Sequence, residues 1–277
     1  MFNLFCTVGA GQRLCGYQTK SVKSDPMIAL MNDLFATEDR NYLYTNLLEV
    51  FEAHIADTGP LSAFEISELL YRLGKKKFRS EGTKGLVIDP FLGELITRSL
   101  ASCSLNGRWL SRAMQLLIIL PFSSDEVSDK IVAAFTRKLH TGVTLNEIDL
   151  SMCLYALQSK KEDERAVLTL VQALAGRVSE KKYIWSMQNI LNGLHGLQSM
   201  SGDLQGVRDI LSALTTNLFI SDDILTTQGI SCALYGLQSM SSDLHEVRIL
   251  LKVLAGKIAS SDTVLDCQGI GNALYGL

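Results

Sequence analysis

Along most of the chain apolar residues recur at spacings of three and four rather than in alternation, which predicts amphipathic helices and not strands. In residues 225–240, LTTQGISCALYGLQSM, the side chains of Ile230, Leu234 and Leu237 fall within roughly 40° of one another when unrolled at about 100° per residue. They form one apolar stripe, flanked by Ala233. Leu150, Leu154 and Leu157 repeat it earlier, and Ile270, Leu274 and Leu277 later. A serine-rich turn follows, then a second stripe of Val247, Leu250, Leu251, Leu254 and Ile258. Asp243 with Glu246 three residues on predicts a capping-box start for that second helix. The unit is a helical hairpin.

The hairpin repeats. CLYALQS begins at Cys153, GLHGLQSM at Gly193, ALYGLQSM at Ala233 and ALYGL at Ala273, each step being 40 residues. A fixed period of this length predicts an all-α fold, an α-solenoid of stacked two-helix repeats. Upstream the pattern decays: FEISELLYRLGKK at 64–76 keeps an LYxL core, and AMQLLIILPFSSDEV at 113–127 keeps the turn. The expected organisation is a tail over 1–25, degenerate helical hairpins over 26–140 and regular repeats over 141–277. The last repeat stops inside its first helix, so a longer repeat protein is expected.

Opposite the apolar stripe of each first helix runs a second set of positions, at i, i+4 and i+7. It holds Gln188, Asn192 and His195, then Gln228, Cys232 and Tyr235, then Gln268, Asn272 and Tyr275. Packing alone would tolerate many residues there, yet the set keeps an amide, a small polar group or thiol, and a ring. If the first helices line a concave surface, these nine residues offer hydrogen-bonding and stacking groups to the bases of single-stranded RNA, one unit to a base. Alternatively each ring wedges against the adjacent first helix. Beside the rings stand Gly196, Gly236 and Gly276, with Ala156 in the first clear copy. A glycine costs a helix roughly 0.5–1 kcal/mol relative to alanine, so its recurrence predicts close approach of the neighbouring first helix.

The stretches TQGISCALYGLQSM and CQGIGNALYGL resemble the core of octotricopeptide-type repeats, to which heptatricopeptide and FAST-kinase-domain repeats are related. Gln268, Ile270, Asn272, Leu274 and Leu277 match it position by position, with Tyr275 where tryptophan is usual. Gln228, Ile230, Ser231, Leu234, Tyr235 and Leu237 match similarly, whereas Ile148 replaces the glutamine and His195 the aromatic in looser copies. The resemblance implies an RNA-binding factor of chloroplasts or mitochondria, acting in RNA processing, stability or translation.

Charge bears on the ligand. The net charge is −3 and residues 141–277 carry more acidic than basic side chains, so a polyanion would have to be held by local features rather than by a general field. KKKFR at 75–79 is the dense basic stretch, a solvated connector or a phosphate contact. A charge-poor surface would equally suit a protein-binding scaffold of armadillo or HEAT type. Six scattered cysteines without CxxC pairs read as reduced thiols of an intracellular protein, and His54, His140, His195 and His245 lack metal-ligand spacing. No enzyme, metal or small-molecule cofactor is expected. The longest apolar run, MQLLIILPF at 114–122, is too short to span a bilayer. Residues 1–24 hold Arg13, Lys20 and Lys23 and no acidic residue, the composition of a transit peptide or of a merely disordered start.

Overall fold

The computed structural model describes residues 90–102, 106–119, 124–160, 165–180, 184–260 and 264–276, with isolated residues between 29 and 69. The tail over 1–25 and the basic stretch at 75–79 lie outside them. Contacts divide the chain into two units, Met1–Thr58 and Gly59–Leu277. The second therefore runs through residue 140 without a break. In the first unit Met31, Asn32, Ala53 and His54 are among the helical residues.

The second unit is all helical among its described residues. Ser62 and Glu65 cap one another reciprocally, Ser62 N–H donating to Glu65 Oε2 (2.7 Å) and Glu65 N–H to Ser62 Oγ (3.3 Å). Next come α1 (Pro90–Ser102), α2 (Gly107–Ile119), α3 (Asp125–His140) and α4 (Glu147–Tyr155), the last prolonged by a 3-10 turn, Ala156–Ser159. The chain continues through α5 (Arg165–Val178), α6 (Met187–Gly196), α7 (Gln205–Ile220), α8 (Thr227–Tyr235), α9 (His245–Ala259) and α10 (Cys267–Tyr275). From α2 onward, helix starts keep the sequence period: 107, 147, 187, 227 and 267 for one set, 125, 165, 205 and 245 for the other.

Each helix packs against the helix two places ahead, so that α2, α4, α6, α8 and α10 form one row and α1, α3, α5, α7 and α9 another. Apolar stripes join the rows. Val127, Val167, Val207 and Val247 occupy one buried column of the second row, and Leu154, Leu194 and Leu234 one of the first. On α10, by contrast, Ile270 and Leu274 of the expected stripe are exposed.

Caps set the first-row starts. Asn106, Asn146, Ser186, Thr226 and Asp266 stand 40 residues apart, and each accepts a hydrogen bond from the backbone N–H three residues on. These are the residue types that satisfy the orphan donors of a first turn. The second row differs from expectation: its caps at α7 and α9 are Leu204 and Leu244, neither with a side-chain cap. Asp203 and Asp243 instead receive, through their own N–H groups, Ser201 Oγ and Ser241 Oγ as acceptors, so serine shapes the turn and aspartate does not cap the helix.

The first-row helices are also shorter than the repeat suggested. α8 ends at Tyr235, and residues 236–240 continue as tight turns closed by Leu237 N–H to Leu234 O (2.9 Å) and Gln238 N–H to Tyr235 O (3.3 Å). Gly236 therefore caps the helix, in ordinary right-handed conformation (φ −63°), so its backbone alone does not demand glycine. Its neighbour does. A Cβ there would lie 2.3 Å from Leu194 O, and at Gly196 and Gly276 it would lie 2.1 Å from Leu154 O and Leu234 O. The close approach expected from sequence is present.

The following Gln-Ser pair stitches the copies together. Gln198 Nε2 (3.2 Å) and Ser199 Oγ (2.9 Å) both donate to Gln158 O. One copy on, Gln238 Nε2 (3.2 Å) and Ser239 Oγ (2.6 Å) donate to Gln198 O.

Candidate functional site

Successive first-row helices present the Gln, Asn and ring positions as three columns running across α6, α8 and α10. Gln188, Gln228 and Gln268 are exposed, one per helix. Gln188 Nε2 donates to Asn192 Oδ1 (2.9 Å), which joins two of the columns within α6. Asn192 and Asn272 are half-buried, while Cys232, between them, is buried and in no disulfide.

The ring column is turned on itself. Tyr155, His195, Tyr235 and Tyr275 form a continuous stack with centroid separations of 5.6, 5.7 and 5.6 Å and interplanar angles of 24°, 25° and 22°. Offset stacking at this distance is a favourable aromatic arrangement. A base inserted between two such rings would have to hold them about 7–8 Å apart, the sum of two van der Waals contacts. The facing surfaces of these rings are thus occupied by one another, which is the wedge alternative rather than an open stacking platform. His195 is only 4% exposed, its Nδ1 is buried with no hydrogen-bond partner, and burial holds its pKa below the ordinary histidine value.

The same columns extend into α4, the looser copy read from the sequence, and on into α2, where the extension is hidden in the sequence because the α2 residues share few letters with later copies. The shared helix starts place Arg108, Ile148, Gln188, Gln228 and Gln268 in the first column. Arg112, Met152, Asn192, Cys232 and Asn272 make the second, and Gln115 precedes the four rings. Arg108 is exposed and Arg112 half-buried, its guanidinium lying over the Trp109 ring (5.6 Å), which meets Phe64 edge to face. Gln115 Nε2 points to Met152 Sδ (3.4 Å), tying α2 to α4 at this surface.

Behind the columns lies one buried carboxylate. Asp149 accepts from Asn146 N–H (3.2 Å) and Ser111 Oγ (3.2 Å). Burial raises its pKa; these bonds and the nearby Arg108 act against that rise. Asn189, one copy on, accepts from Ser151 Oγ (3.2 Å) in the equivalent place.

Several charged and thiol side chains of the repeats are structural. Arg177 Nη2 donates to Val143 O (2.6 Å) and Lys257 Nζ to Ser221 O, so these cations bond the preceding loop. Arg208 folds onto its own turn, at Gly202 O (3.1 Å) and Asp203 O (2.8 Å). Burial pushes the Cys153 thiol far up, which makes it inert as a nucleophile. Among the described residues no cluster of three or more His, Cys, Asp or Glu could hold a metal ion, and no helix is long and apolar enough to cross a membrane. No protein family, curated protein or solved structure matches the chain.

Proposed function

We propose that the chain is an α-solenoid with a 40-residue period, of octotricopeptide type, that binds single-stranded RNA along its first-row helices and acts by binding rather than catalysis. The observation that carries this reading is the exposure of Gln188, Gln228 and Gln268 at one position of successive packed helices. An amide offers both donors and an acceptor, so a row of them can hydrogen-bond the edges of unstacked bases. The ring stack supplies rigidity beside that row, two helical turns along, instead of stacking on bases. Anisotropy titration with a randomised 12-nucleotide RNA pool tests it: Q188A/Q228A/Q268A should bind at least tenfold more weakly with unchanged circular dichroism. Equal affinity of variant and wild type would remove the amide row as the binding surface.

A second reading, a protein-binding scaffold, draws on a different column. Ile184, Ile224 and Val264, 40 residues apart in the loops before α6, α8 and α10, are 81, 75 and 84% exposed. Exposed apolar groups in register suit a protein partner better than a nucleic acid. Failure of the folded wild type to retain any RNA of the pool at 50 mM KCl would favour it.

A further inference from the structure

The loops before α6, α8 and α10 form an edge on which Ile184, Ile224 and Val264 stand exposed. Thr144 holds the same place before α4, so the apolar column begins at Ile184. Phe219 and Ile220, which close α7 at this edge, are exposed as well. Hydrogen bonds tie the loops together. Trp185 N–H donates to Asn217 Oδ1 (3.3 Å), Met187 N–H to Asp223 Oδ2 (3.3 Å) and Thr227 Oγ1 to Val264 O (2.9 Å). Five exposed apolar side chains therefore share one edge of three consecutive copies, which marks an interaction surface. Trp185, beside Ile184 in the chain, also lines a cavity of about 280 Å³ together with Val178, Ala213 and Asp209.

Charge selects the occupant. Residues 179–186, 219–226 and 259–266 carry two basic residues, Lys181 and Lys182, against five acidic ones, among them Asp222, Asp223 and Asp266. Lys257 reaches this edge and is drawn onto Ser221 O. Asp223 and Asp266 accept backbone N–H groups and Asp209 accepts the Gln205 amide (2.7 Å), so their bonds leave the negative charge in place. A second copy fits poorly, because a two-fold contact centred on Ile224 would set Asp222 and Asp223 against themselves. A polyanion is repelled for the same reason. A cationic partner is attracted.

We infer that this edge docks a basic amphipathic helix of another protein, its apolar residues seven apart on Ile184, Ile224 and Val264 and a lysine or arginine reaching toward Asp209. The spacing argues for a helix. Packed helices of successive copies lie about 8–10 Å apart, and seven residues of an α-helix rise about 10.5 Å on one face. An extended peptide covers the same span in about three residues, which point to opposite faces. In the cavity the apolar stem of a basic side chain would lie on Trp185 and Ala213, with its charged end at the carboxylate. The inference rests on the scaffold reading, whose column it uses, and shares no residue with the amide row of the RNA reading.

Anisotropy titrations with three labelled, alanine-rich 21-residue peptides test it. The first carries leucine at positions 4, 11 and 18 flanked by lysines. The second replaces the lysines by glutamates, and the third keeps them but disperses the leucines around the helix. Wild type should bind the first at least tenfold more tightly than either other. I184S/I224S/V264S should lose at least tenfold of that affinity, and D209N/D222N about threefold at 50 mM KCl. Circular dichroism and urea midpoints equal to wild type confirm that the variants are folded, and affinity for the RNA pool should not change in I184S/I224S/V264S. A glutamate peptide bound as tightly as the first, and lost in I184S/I224S/V264S, overturns the basic partner and leaves the scaffold reading standing. The first peptide bound equally by wild type and I184S/I224S/V264S removes the edge from both. A wild type that sediments as a dimer, with I184S/I224S/V264S a monomer, makes a second copy the occupant and overturns the partner helix. A tenfold loss of RNA affinity in I184S/I224S/V264S assigns the edge to the nucleic acid and overturns it likewise. No peptide bound by wild type overturns the helix, while retention of the RNA pool still decides between the two broader readings.

Discussion

At the residue scale, what glycine does depends on what stands opposite it. Gly236 faces the Leu194 carbonyl at a distance no Cβ can occupy, so Gly236→Ala must push α8 off α6 and should destabilise by about 1–3 kcal/mol, as overpacking of a fitted contact does. Gly256, inside α9, has nothing within 4 Å of its Cβ direction. There alanine only restores helix propensity, and Gly256→Ala should stabilise by about 0.5–1 kcal/mol. Urea midpoints of the two variants should therefore move in opposite directions. The recurrence of glycine beside the ring was legible in sequence; whether the ring meets a ligand or the adjacent first helix was left open. Unrolling a helix gives angles about its own axis, and those angles alone do not say which sector meets the neighbouring copy. His195 shows the cost of that gap, since a residue expected at a ligand surface is sandwiched between Tyr155 and Tyr235. Its pKa is lowered by burial, so as pH falls through the ordinary histidine value of about 6.5 the unfolded chain takes up the proton before the folded one does. Stability should decline from pH 7.5 to 5.5, and His195→Tyr, which matches the other rungs, should flatten that decline in urea titrations. Asp149, whose pKa is raised, acts in the lower carboxylate range with the opposite sign, so the two windows separate.

At the element scale, helix starts are written in the caps. Asn146, Ser186, Thr226 and Asp266 are four different letters, which is why a search for identical residues passes over them, yet all four are N-cap types. Asp243 and Glu246 fit a capping box by spacing and do not form one, because the turn closes one residue later, at Leu244. Thr226→Ala should therefore cost about 1 kcal/mol, whereas Asp243→Ala should stay within about 0.5 kcal/mol of wild type. Chemical denaturation of the pair distinguishes the two starts. Equal losses would mean that Asp243 caps the helix in solution. The helix ends were less legible than the starts, since LQSM continues the helical apolar spacing while its Gln and Ser side chains bond the preceding copy's carbonyl and draw the backbone into turns.

At the scale of the whole second unit, the helical class and the 40-residue spacing followed from periodicity, because that spacing reflects which helices stack. The continuation of the columns into α2 did not, since Arg108, Arg112 and Gln115 share position and not chemistry with later copies. Among the described residues, helices pack chiefly on those one or two places away in the chain, the 3-10 turn counted with α4. Stability in such an array is close to a sum of local terms and nearest-neighbour interfaces, so damage should stay near where it is made. Gly236→Ala loosens the α6–α8 contact directly, together with the ring pair His195–Tyr235 and the Gln198 carbonyl that receives Gln238 and Ser239. Hydrogen exchange of this variant should show protection lost in α8, α9 and α10 while α3, α4 and α5 keep wild-type rates. Uniform loss across all helices would show instead that the unit opens as one cooperative body, and the copies could not then be treated as separable rungs for either stability or binding.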